Sequence, residues 1–260
     1  MKKNLESLFV KEELAPFYET IIWNSVENAV MYEGVDVSRY TDVELVNYSV
    51  ARALGIHEPA DEETPESTPE EVTREDGRPN SAGVDREVSW SPTHQEDLSE
   101  EADRFLDRGK DELAILLYAT WVEHWINRII LMCSIGEGTP PELATALIRS
   151  CRLELKIGKV WTSLGMPRFD KELARRISRL MEARNGFVHY KWTHHDEESL
   201  DKENEDAKNK AREAKETVRL LTALEDAVFY DGRTESIKKH IHDSLLEKRR
   251  AARKEYETGI

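Results

Sequence analysis

Cysteine is almost missing from this chain: Cys133 and Cys151 are the whole complement in 260 residues. Both fall in apolar stretches with a helical pattern. They are expected to serve as small buried hydrophobes in a reduced protein, and a disulfide framework is excluded. No apolar run reaches the ~20 residues that a membrane span requires. Met1-Lys2-Lys3-Asn4-Leu5-Glu6 offers no continuous apolar core of the secretory type, so a cytoplasmic protein without a membrane partner is expected. Strand-like alternation and internal repeats are absent as well. Metal-ligand spacing is also missing. His194-His195-Asp196-Glu197 matches no recognised pattern and has no distant cysteine pair to complete it, so it reads as a solvated loop. His240 and His242 cannot share one side of a helix. No metal and no cofactor is expected.

Charge is plentiful, with 34% charged residues and a formal net charge of -15. Its distribution matters more than its total. Between Glu58 and Glu101 there are 15 Asp and Glu against Arg74, Arg78 and Arg86, a net of -12 that leaves the rest of the chain near -3. The acidity belongs to one segment and does not exclude a local cationic site elsewhere. Residues 57–97 contain Glu-Thr-Pro-Glu-Ser-Thr-Pro-Glu-Glu and Asp-Gly-Arg-Pro-Asn-Ser-Ala-Gly. Proline, acid and small polar side chains bury too little surface to offset chain entropy, so this segment is expected to be a disordered linker.

On either side the pattern is helical. Residues 1–56 form an N-terminal helical segment, with Thr41-Asp42-Val43-Glu44 as a helix-start signal. Residues 98–232 form the main helical domain, in which Ser99 is placed as a cap. Asp111 to Met132 is apolar nearly all round, the mark of a central buried helix. Thr139-Pro140-Pro141-Glu142 opens the next helix, which carries Leu143, Leu147 and Cys151 a turn apart. Asp170 is positioned to cap the following one. A long helix covers about 200–230, and residues 233–260 make a C-terminal helix that ends in the basic run Lys248-Arg249-Arg250. The predicted fold is an all-α bundle with short connections.

One stretch conflicts with its own pattern. Leu173, Ile177 and Leu180 define an apolar helical stripe, and Arg184 falls next on it. A guanidinium there is costly without a compensating anion, such as a bound phosphate or a carboxylate. Glu123, on the apolar central helix, needs a cation in turn, and Arg184 is the candidate. The sequence continues Asn185-Gly186-Phe187-Val188-His189. Arginine suits the stabilisation of phosphoryl oxygens, and histidine suits proton transfer near neutral pH. Asn185 and His189 are four apart, so the amide can orient the imidazole. Arg184 and His189 are about 140° apart on an ideal helix, at ~100° per residue. Meeting over one phosphate therefore calls for the long arginine side chain, a distortion at Gly186, or a second subunit.

An arginine followed by a polar residue and closed by histidine, late in a helical bundle, resembles the Arg-x4-6-His motif of the HEPN superfamily. The similarity covers about 98–230. It implies a metal-independent endoribonuclease of toxin–antitoxin or antiviral systems, dimerising to form a composite site, with RNA as substrate and an inhibitory or triggering protein as a further partner. On that resemblance Arg184 and His189 are the catalytic pair, Asn185 is the polar position, and Glu123 matches by context. Tyr190-Lys191-Trp192 either contacts RNA by stacking and charge or seals the end of the bundle. The bare spacing recurs at Arg52…His57 and Arg233…His240, where Ala53 and Thr234 follow the arginine. Two other functions fit the same chain: a non-catalytic helical interaction or regulatory subunit, and a nucleotide-binding domain without cleavage.

Overall fold

The computed structural model describes residues 15–54, 95–188 and 197–258. Among them every regular element is helical. The chain runs through α1 (Ala15–Glu27), a π turn (Asn28–Tyr32), a 3-10 turn (Val37–Arg39) and α2 (Asp42–Ala53). It resumes with α3 (Gln95–Asp107), α4 (Asp111–Gly136) and α5 (Pro141–Ser150). Two short helices, α6 (Leu153–Leu155) and α7 (Trp161–Ser163), flank a second π turn over Lys156–Val160. Then follow α8 (Lys171–Val188), α9 (Glu197–Phe229) and α10 (Thr234–Thr258). None of the described helices is long and apolar enough to cross a membrane.

The central helix is α4, as its all-round apolarity demands. Ile115, Tyr118, Val122, Trp125, Ile126, Ile129 and Ile130 are all buried. Its 26 residues make a rod about 39 Å long, against which α3, α8 and α9 pack. The inward stripe of α8 is Leu173, Ile177, Leu180 and Met181, and that of α9 includes Ala211, Ala214 and Leu221. Trp121, Trp125, Trp161 and Phe169 form a ladder of rings with centroids 6.4, 5.6 and 4.6 Å apart. This ladder fixes α7 and the loop after it to α4. The two tryptophans of α4 are core, as their one-turn spacing predicts.

The local start signals act as expected. Thr41 and Glu44 form a reciprocal capping box on α2, with Glu44 N donating to Thr41 Oγ1 at 3.3 Å and Thr41 N to Glu44 Oε2 at 2.8 Å. Asp170 Oδ1 accepts from the backbone N–H groups of Glu172 and Leu173 at 2.9 and 2.8 Å. Two details differ. Ser99 is not a cap, because α3 starts at Gln95 and Ser99 lies inside it. The inward face of α5 runs through Ala144, Leu147 and Ile148; Leu143 is 60% exposed and Cys151 follows the helix as its C-cap. Of the cysteines, both are free, Cys133 is buried and Cys151 is partly so.

A second core lies at the far end of α4. Val26, Val30, Met31, Val37, Leu45 and Val46 pack with Tyr230, Ile237, Ile241 and Leu245 around Met132. The N-terminal helices and the C-terminal helix thus share one apolar cluster. Gly136 sits at this seam, where a Cβ would meet the carbonyl oxygens of Tyr32 and Met31 at 3.0 and 3.1 Å, so the backbones approach closely only because it is glycine. Arg233 clamps the seam from the α9–α10 turn. It donates to Tyr40 O at 2.9 Å and Val37 O at 2.5 Å, and it pairs with Asp42 at 3.2 Å. Its spacing to His240 is therefore structural.

Between the two cores Arg128 of α4 is held by two carboxylates. Nη1 donates to Glu27 Oε1 at 2.9 Å and Nη2 to Glu225 Oε1 at 2.5 Å, with all three side chains only 12–14% exposed. Trp125 Nε1 donates to the other oxygen of Glu225 at 2.5 Å. Burial works to lower the Arg128 pKa, but Glu225 and Glu27 outweigh it and hold the guanidinium above its ordinary value. Burial pushes the Glu27 carboxyl up against the pull of Arg128. Replacing Arg128 by alanine leaves two buried carboxylates without their cation and is expected to cost about 3–5 kcal/mol, read as a lowered urea midpoint. The pH dependence has a definite sign. Because the folded state holds the Glu27 proton more tightly, its stabilising effect is complete below the ordinary glutamate value of 4.5 and is lost as pH rises through the higher folded value. The stability difference between wild type and Glu27→Gln should fall across that window, and a pH-independent difference rejects the assignment.

Candidate functional site

The end of α8 meets the middle of α4. Arg184 continues the buried stripe of Leu173, Ile177 and Leu180, and its Nη2 donates to Glu123 Oε2 at 2.9 Å. The carboxylate that the apolar stripe calls for is supplied from within the chain. The pair is only half-submerged: the Arg184 side chain is 31% exposed and that of Glu123 44%. Arg184 Nε is buried and makes no hydrogen bond, and Nη1 donates none to the described residues. Among the described residues the arginine is fixed on one nitrogen, and Nη1 is left uncommitted. This is a geometry suited to receiving an anion at the remaining terminal nitrogen.

Asn185 and Phe187 are exposed at the end of the helix, Phe187 at 38%. The Asn185 amide makes no side-chain hydrogen bond among the described residues, so it is not part of the Arg184–Glu123 pair. His189, Tyr190, Lys191 and Trp192 lie outside the described residues. The structure therefore brings together Arg184 and Glu123 of the sequence-derived set.

It adds two residues that pattern reading passed over. Asn127 is one turn beyond Glu123 on α4, and Lys156 Nζ donates to its Oδ1 at 2.7 Å. Lys156 is 8% exposed. It is carried by the π turn after α6, a local widening that commonly marks functional positions. A lysine in Leu-Glu-Leu-Lys-Ile-Gly reads as an ordinary solvated cation, and nothing in the sequence spacing links it to Asn127. The available signal was an amide on the apolar central helix.

A cleft of about 760 Å³ opens on the adjacent face of α8, between α8, α9 and the start of α4. Its cations are already engaged: Arg179 bonds Glu213, Lys210 pairs with Asp206 at 2.5 Å, and Arg176 with Glu172 at 3.2 Å. Glu112 and Glu182 line it as well, giving it an acidic balance ill-suited to a phosphate backbone. Comparisons with protein-family models, curated proteins and solved structures return no match for the chain.

Exposure limits what the Arg184–Glu123 bridge contributes to stability, since water screens it. Glu123→Ala is expected to cost no more than about 1 kcal/mol, well below Arg128→Ala, as measured by urea denaturation. A loss of several kcal/mol would mark the pair as a core strut instead of an accessible site.

Proposed function

We propose that the chain is a metal-independent endoribonuclease of HEPN type, acting in the cytoplasm as a toxin or antiviral effector. The observation that carries this reading is Arg184, anchored through one nitrogen to Glu123 at 2.9 Å while its side chain stays 31% exposed. An arginine fixed on a rigid helix with donors to spare is preorganised for phosphoryl oxygens.

The chemistry follows from those groups. His189 takes the proton of the ribose 2′-hydroxyl as its oxygen bonds to the adjacent phosphorus. The bond from phosphorus to the 5′-oxygen breaks, and that oxygen takes up a proton as it leaves. The products are a 2′,3′-cyclic phosphate and a 5′-hydroxyl. Arg184 stabilises charge on the non-bridging oxygens, and Glu123 holds the guanidinium in place on α4 until RNA binds. Asn185 flanks the arginine at the polar position, and Tyr190, Lys191 and Trp192 contact the RNA strand. A homodimer brings two such motifs together, which relieves the wide angular separation of Arg184 and His189 on one helix. A further protein silences or triggers the site.

A second reading, a non-catalytic regulatory subunit, is favoured by one observation: Glu123 already neutralises Arg184 within the chain. The two readings part on a simple assay. Purified protein is incubated with total RNA in EDTA, wild type beside Arg184→Ala and His189→Ala. The expected outcome is fragments ending in cyclic phosphate from wild type, and a drop of about 100-fold or more in both variants with their helical circular dichroism unchanged. Undiminished cleavage by both variants rejects the assignment, and an inert wild type supports the regulatory subunit.

A further inference from the structure

Glu123 and Asn127 are neighbours on one face of α4, four residues apart. That places their side chains about 5–6 Å from each other at Cβ. Each is engaged by a cation from another element, Glu123 by Arg184 and Asn127 by Lys156. The two cations differ in how they are satisfied. Arg184 has a carboxylate. Lys156 is 92% buried by its 8% exposure, yet its ammonium has only the amide oxygen of Asn127 within hydrogen-bonding distance and no carboxylate within ion-pair distance among the described residues. A buried ammonium with three donors and one neutral acceptor is under-satisfied. The nearest acid along α4 on that face is Glu123, one turn away.

From this juxtaposition we infer that Glu123 is a movable placeholder: when an RNA phosphodiester arrives at Arg184, the Glu123 carboxylate is handed from Arg184 to Lys156. This rests on the reading that Arg184 receives a phosphate. An incoming phosphodiester and a carboxylate cannot both sit on one guanidinium without mutual repulsion. A carboxylate released from Arg184 loses its counter-ion, and water compensates for that loss at a 44% exposed side chain only in part. Lys156 removes that difficulty, since it gains the counter-ion it lacks while Asn127 gives up one contact. No bond is made or broken and no proton moves; three charges change partners. Lys156 is on this view a positioning residue: it touches neither RNA nor the reacting atoms, but it sets how readily Glu123 leaves. Exposure of the Glu123 side chain, at 44%, leaves it free to swing.

The test measures binding, not turnover. The probe is a fluorescein-labelled RNA oligonucleotide with 2′-O-methyl groups, which cannot cyclise, titrated by anisotropy into the full-length protein, with inorganic phosphate as competitor. Five proteins are compared: wild type, Arg184→Ala, Glu123→Gln, Lys156→Met and the double variant of the last two, with Lys156→Arg as the conservative control. Glu123→Gln removes the competing charge and should tighten binding about two- to fivefold, the scale of a half-exposed ion pair. Lys156→Met should weaken binding by a similar factor when Glu123 is present and have no effect when residue 123 is glutamine. Lys156→Arg should restore affinity. A purely structural lysine would weaken both backgrounds equally, and that result overturns the hand-over while leaving the nuclease reading intact. Unchanged binding in Arg184→Ala removes the phosphate site itself, and with it both readings. If Lys156→Met fails to fold, Asn127→Asp provides the second arm: a fixed carboxylate beside Lys156 occupies the landing place and should weaken binding, whereas tighter or unaltered binding overturns the proposal.

Discussion

Arg128 is the node on which the molecule depends. One guanidinium, taken almost wholly out of water, ties α1 through Glu27, α9 through Glu225 and its own helix α4 into a single joint. The two carboxylates give the joint one negative charge too many for a neutral ion triplet. Its stability therefore comes from geometry: bonds of 2.9 and 2.5 Å and a third donor, Trp125, on Glu225. Such an arrangement is not the most stabilising way to fill a core. It is a selective one, because a shift of any of the three helices would strand a charge.

The central helix carries two polar notches of different character. Glu123 and Arg128 are five residues apart, about 140° around the helix at ~100° per residue, so they face different neighbours. The Arg128 notch is closed, with its partners 12–14% exposed, whereas the Glu123–Arg184 notch is open at 31% and 44%. The same chemistry, arginine on carboxylate, is sealed as a strut in the first place and left open to water in the second. Solvent access separates the two roles.

Much of the fold could be read from the residues alone. The all-round apolarity of Asp111 to Met132 marked the central helix, and Thr41, Asp170 and the proline pair before Glu142 marked three helix starts, each by local chemistry that the structure reproduces. The Arg184–Glu123 pair was legible because both residues violate an apolar stripe. Features that depend on distant partners were not legible. Arg128 lies on the same apolar helix as Glu123 but is joined to residues 101 positions earlier and 97 later, and no local period encodes such a pairing. Lys156 was hidden for a different reason, since a π turn shifts the register that helical spacing assumes. Ser99 misled because a good capping residue inside a polar, acid-rich turn looks the same as one at its boundary.

The shared cluster of α1, α2 and α10 has a temporal consequence. Val26 and Leu45 wait for Ile237 and Ile241, about two hundred residues further along. During synthesis the first helices emerge long before the surface that covers them. Contacts of such sequence separation are slow to form, and the cluster closes only when α10 packs against α1 and α2. Until then the apolar side of α1 and α2 lacks the surface that covers it in the fold.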